Sequence, residues 1–147
     1  MSIPSIHDSL AYVLHRTARL LRWDFSKVAA RRGVELSQEQ WFILNKLRRQ
    51  EGVSQSEVGD SIFADRPNMT RMLAVLEEKA FIRRAPDPDD ARRTLVWLTS
   101  AGRSLHDLFA SGILAERQRV FRGIAEEDIA VVKRVLAQLE HNLTHER

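Results

Sequence analysis

The chain has 147 residues, 44% hydrophobic and 29% charged, with a formal net charge of +3 and no cysteine. One packed domain fits that length, and the composition excludes a disordered chain, disulfides and thiolate metal sites. No apolar run approaches the ~18 residues of a membrane span and the N-terminus lacks an export pattern, so a cytoplasmic protein with no membrane contact is expected.

Ile6, Leu10, Val13, Leu14, Leu21, Phe25 and Val28 recur at helical spacing and predict one long helix from Ser5 to about Ala30. At roughly 25 residues it spans close to 40 Å and needs a partner along its length. Arg32-Gly33 closes it. Ser37 with Gln40, and Ser54 with Glu57, have capping-box spacing. They open a helix over about 38–49 and a short one ending near Ile62. Asp65-Arg66-Pro67 starts the next helix, which runs to about Lys79, with Asp65 as its N-cap and proline in its first turn. Phe81 to Pro86 reads as a strand, Asp87 to Arg93 as a tight tip, and Thr94 to Leu98 as the return strand. Thr99 caps a helix to about Arg122. Gly123 breaks the chain, and Glu126, Glu127 and Asp128 open the final helix where its dipole favours negative charge.

This order predicts a mainly α fold, a winged helix-turn-helix with one β-hairpin wing and long N- and C-terminal helices. On the helix from Arg66, the residues Met69, Met72, Leu73, Leu76 and Ala80 form the apolar stripe. Pro67, Asn68, Thr70, Arg71 and Ala74 form the other side. That side is either a solvated face or a base-reading one, because arginine pairs with guanine, asparagine with adenine, and a threonine methyl touches thymine. Arg66 stands at the helix start, where phosphate contacts are usual. Arg83, Arg84, Arg92 and Arg93 cluster near the hairpin tip, more cation than a structural turn needs. On the last helix, Ile129, Val132, Leu136, Leu139 and Leu143 are spaced 3, 4, 3, 4, a coiled-coil-like seam for a second copy or for the chain's own first helix.

The block DRPNMTRMLAVLEEKAFIRRAPDPDDARRTLVWLTSAG, Asp65 to Gly102, carries P-x-x-T-R, L-E-x-K, R-R-x-x-D-P-x-D-x-R and L-T-x-x-G. Over this quarter of the chain it resembles the MarR family of bacterial transcription regulators. The resemblance implies a homodimer on a pseudo-palindromic double-stranded DNA operator, with repression the usual mode. It implies dimerisation helices in 1–36 and 100–147 and a DNA-binding region in 37–99. The implied DNA contacts are Arg66, Pro67, Asn68, Thr70, Arg71, Asp90, Arg92 and Arg93. Arg92 would enter a minor groove, oriented by Asp90. Three positions depart from the family. Ala80 stands where glycine is usual at the helix exit, Ala91 where a basic residue is common, and Trp97 where a small or polar one is.

The resemblance also implies a small effector. His15, Arg19, Trp23, Trp41 and Asn45 are its candidate lining, and aromatic walls with a cation suit an aromatic acid. The alternative reading makes Trp41 core and Arg19 solvated. A metal-responsive regulator would draw on His141 and His145, four residues apart. A winged helix used only for protein contacts is a further class. No nucleophile-base set or phosphate loop points to an enzyme, and no cofactor is expected.

Overall fold

The computed structural model of the chain describes residues 3–145. They fall into two compact units, one ending at Leu108 and one starting at Phe109. A short 3-10 turn, Ile6–Asp8, precedes α1, Leu10–Arg31. The long first helix expected from Ser5 is therefore broken. Ser9 is extended, at φ −74° and ψ 130°, and Ser5 caps the small turn through His7 N–H. Asp8 and Ser9 favour such non-helical capping geometry over a helix interior.

α2 covers Gln38–Arg49 and begins with a complete capping box, the Ser37 hydroxyl accepting from Gln40 N–H and the Gln40 side chain accepting from Ser37 N–H. A two-residue strand β1, Val53–Ser54, leads into α3, Gln55–Ser61. Helix α4 spans Arg66–Glu78, and the hairpin is β2, Ile82–Pro86, with β3, Thr94–Leu98. The three strands form an antiparallel sheet in the order β1-β3-β2, with Val53 opposite Val96 and Arg84 opposite Val96 on the other side. The third strand is too short for any period-2 signal, so it is absent from the sequence reading. Ile43, Leu44 and Leu47 of α2, Val58 of α3, Leu73 and Leu76 of α4 and Val96 of β3 are fully buried. Burial of such side chains stabilises by about 1.5–3 kcal/mol each.

α5 covers Ser100–Val120 and α6 covers Glu126–His145. The Thr99 hydroxyl accepts from Gly102 N–H at 3.0 Å and donates to the Ala80 carbonyl at 2.6 Å. A Cβ at Gly102 would collide with the Phe81 carbonyl. The L-T-x-x-G motif thus pins the start of α5 to the exit of α4. Ala80 itself takes the left-handed conformation, φ +64°, so the helix exit is kept without glycine. No helix among the described residues is long and apolar enough to cross a membrane.

Candidate nucleic-acid interface

Helix α4 starts where the sequence places it, with the Asp65 carboxylate accepting from Asn68 N–H at 2.8 Å. Met69, Leu73 and Leu76 are buried, while Pro67, Thr70, Arg71 and Ala74 are exposed and Asn68 is half-buried. Arg71 Nη2 donates to Asn68 Oδ1 at 2.6 Å, so the two polar groups stand as a pair on the outer face. Thr70 donates to the Arg66 carbonyl at 2.9 Å and accepts from Gln55 Nε2 at 3.1 Å. These bonds fix the rotamers of short side chains on a helix surface, which lowers the entropy lost on docking.

The wing tip closes through Asp87 N–H to the Arg93 carbonyl at 2.8 Å and Arg93 N–H to the Asp90 carbonyl at 2.9 Å. Asp90 Oδ1 accepts from both Arg92 N–H and Arg92 Nε, each at 3.1 Å. The Arg92 side chain is nonetheless 91% exposed. Its hydrogen bonds, side chain first and backbone second, hold the Asp90 carboxyl below the usual range. Arg92 is aimed by its neighbour while leaving the guanidinium's remaining donors in solvent.

The other arginines of the hairpin are placed differently. Arg84 forks onto Glu77, at 3.2 and 3.3 Å, and reaches Gln55 Oε1 at 3.3 Å. That fork lowers the Glu77 pKa. Arg93 bridges to Glu57 at 3.2 Å and to Asp87 at 3.7 Å. Arg83 lies over the Trp97 ring, 4.2 Å from its centroid, and Trp97 is half-buried beside Gly52. Tip cation density was thus overread from sequence: Arg84 braces the sheet against α3 and α4. A concavity of about 460 Å³ runs between the starts of α3 and α4 and the wing, with Arg66, Arg92 and Arg93 on its wall. Arg66 opens α4 while Arg92 and Arg93 sit together on the wing tip, so the convergence of the two elements is not visible in the sequence.

The five candidate effector residues fall on two helices, His15, Arg19 and Trp23 on α1 and Trp41 and Asn45 on α2. His15, Arg19 and Trp23 are exposed on α1, with Lys27 Nζ 3.9 Å over the Trp23 ring. Trp41 is buried, stacked on His106 at 4.9 Å and on Phe25 at 6.5 Å. Asn45 Oδ1 lies 3.0 Å from His106 Nε2, and His106 Nδ1 lies 2.9 Å from Asp107 Oδ1, which also accepts from Arg48 Nε at 3.1 Å. The bond from His106, then that from Arg48, lowers the Asp107 pKa. His106, Asp107 and Arg48 were missed, because their pairing spans some 60 residues and leaves no local pattern. His141 and His145 stack on each other at 4.3 Å. Among the described residues, no group of three or more His, Cys, Asp or Glu is placed to hold a metal ion.

A two-helix turn motif with an outward polar helix and an arginine-tipped hairpin defines a winged helix-turn-helix protein. Residues 36–94 match the model of the MarR family, and the chain belongs to that family. It is similar to the HTH-type transcriptional regulator TtmR of Methylorubrum extorquens (strain PA1), 31% identical over 101 residues. That alignment takes in 69% of this chain and 51% of TtmR, so the chain spans about half the length of that curated relative. Among solved structures, the PcaV transcriptional regulator from Streptomyces coelicolor in complex with its natural ligand has a TM-score of 0.84 at 20% identity, over 95% of this chain and 97% of that one. The transcriptional repressor CouR bound to a 23-mer DNA duplex has a TM-score of 0.81 at 23% identity, over 95% and 98%. At such identities these likenesses establish the shared fold.

Proposed function

We propose that this protein is a sequence-specific DNA-binding transcriptional regulator, not an enzyme, acting as a homodimer and repressing until a small effector releases it. One observation carries the reading. Arg66, Arg92 and Arg93 line one concavity at the start of α4, the helix that carries the outward Asn68–Thr70–Arg71 face. Phosphate-binding cations flanking a compact base-reading face are the two components of duplex recognition. In this reading α4 enters a major groove, where Asn68 and Arg71 meet base edges with the donors their mutual bond leaves unused. Arg92, held by Asp90, enters the neighbouring minor groove, whose negative potential is strongest over A·T tracts. Arg93 contributes charge near a phosphate while its ion pairs keep the wing upright.

The dimer is assigned to residues 1–36 and 100–147, and the DNA-binding region to 37–99. Its support is α6, which buries none of its residues: Val132 is 54% and Leu143 72% exposed, and Ile129, Leu136 and Leu139 are only half-buried. An uncovered seam of this regularity calls for a second helix. The effector is assigned as an aromatic acid. Trp23 with Lys27, and Arg19 and His15 on the same helix, offer an aromatic surface with cations, while Trp41 and Asn45, both beside His106, are the candidate lining from α2.

A selection from random duplexes followed by a mobility-shift assay tests the function. The expected product is a pseudo-palindrome with half-site centres about 34–36 Å apart. Inserting half a helical turn between half-sites should abolish tight binding. Equal affinity for the two spacings would refute the dimeric reading, and failure to retain any duplex would refute DNA binding altogether.

A further inference from the structure

α1, α3 and α4 end in the same way. The amide two residues past the C-cap turns back to a carbonyl five residues earlier: Val34 to Ala29 at 3.1 Å, Ala64 to Gly59 at 3.0 Å, and Phe81 to Leu76 at 3.0 Å. The residue preceding each of those amides is left-handed, Gly33 at φ +76°, Phe63 at +51° and Ala80 at +64°. Glycine is the default there, because a Cβ crowds the following carbonyl. α1 follows that rule. The end of α3 departs from it furthest, with a large aromatic residue that is 89% exposed. Phe63 therefore carries a backbone cost and gains almost no burial in return. An outlier of that kind calls for a role outside the fold.

Its place in the fold suggests the role. Phe63 lies in the joint of the helix-turn-helix, two residues before the Asp65 cap of α4. In this motif the first helix crosses the DNA backbone and the start of the second meets base edges. The joint between them stands at the lip of the major groove, where the sugar-phosphate strand passes. Exposed Arg66 follows three residues later. We infer that the Phe63 ring is itself a DNA contact, laid against the apolar deoxyribose face of the backbone at that lip. The inference rests on the DNA-binding reading above. A contact of this kind displaces no counterion and reads no base, which gives it a signature distinct from every arginine contact.

Fluorescence anisotropy separates the cases, using the full chain, its selected operator, an unrelated duplex and a salt series. The variants are Phe63→Gly, Phe63→Asn and, as control, Ala80→Gly. Phe63→Gly and Ala80→Gly both relieve a left-handed Cβ and should raise Tm by about 2–4 °C. Phe63→Gly should nevertheless bind both duplexes roughly tenfold more weakly, with an unchanged salt slope. Phe63→Asn, which tolerates the left-handed conformation, should repeat the loss, and Ala80→Gly should bind like the parent. Parental affinity in both Phe63 variants would overturn the contact. A loss confined to the operator, or one that changes the salt slope, would overturn its assignment to deoxyribose. If the parent binds no duplex, the DNA-binding reading fails instead.

Discussion

Helices α4 and α6 are both amphipathic, yet the chain treats them in opposite ways. α4 buries Met69, Leu73 and Leu76 within its own unit. α6 has the more regular apolar spacing and buries nothing. Periodicity alone therefore says that a helix has an apolar face, while only burial says whether the chain itself covers that face. In the first case the leftover face is the informative one, being polar and free to read a partner. In the second the apolar face is what remains to be matched.

The contrast can be broken most severely at Gly102. Gly102→Ala forces a Cβ into the Phe81 carbonyl, and backbone cannot swing aside as a side chain does. A loss of about 3 kcal/mol in urea unfolding is expected, with the winged unit affected first. Parental stability would mean that the α4 exit is not clamped. Val132→Asp acts on the other helix. Val132 is 54% exposed, so the single chain should tolerate a carboxylate there. In the proposed dimer the same charge would be desolvated, and association should weaken by about 2 kcal/mol, or some thirtyfold. Sedimentation across a concentration series measures this, and an unchanged dimer would place the seam elsewhere.

Smaller effects sharpen the comparison within the wing. Arg92→Ala should cost roughly 1 kcal/mol on an operator with A·T-rich flanks, less with G·C-rich flanks, and flatten the salt slope by about one unit. Asp90→Ala should give a weaker version of the same pattern. Arg84→Ala should instead lower stability while leaving the salt slope alone, since Arg84 is engaged with Glu77 and Gln55. The smallest effect is on pH dependence. Glu77 has its pKa lowered in the folded chain, so the Arg84 pair stabilises above the ordinary carboxylate value and fades as pH falls through the lowered one. Thermal melts from pH 6 to about 3 should show a decline that Glu77→Gln lessens, by under about 1 kcal/mol for an exposed pair.

Much of the fold was legible in sequence because its signals are local. Capping residues at Ser37, Ser54, Asp65 and Thr99 each mark a helix start that the structure keeps. The hairpin boundaries at Pro86 and Thr94 follow from proline and the β-branched run. What escaped has nonlocal or paired causes. β1 is two residues long and exists only because β3 lies beside it. Arg84 and Arg92 look alike in a string of arginines, and only the position of Glu77 and Gln55 separates the internal brace from the exposed arginine held by Asp90. Phe63 was invisible for a different reason, since a phenylalanine near a helix end reads as core until its exposure and its φ are known.

The clamp between Thr99, Gly102 and the turn after α4 has a mechanical consequence. A hydroxyl is seated on the Ala80 carbonyl, and α5 approaches Phe81 so closely that no methyl fits between them. That joint has no backlash. A small tilt of the first turn of α5 would therefore bear directly on backbone at the end of α4, whereas a looser, side-chain-filled contact would absorb it. In the proposed dimer, the angle at which each α5 begins would then bear on the orientation of the α4 beside it. The proposed effector would then need to touch neither α4 to change how it is held.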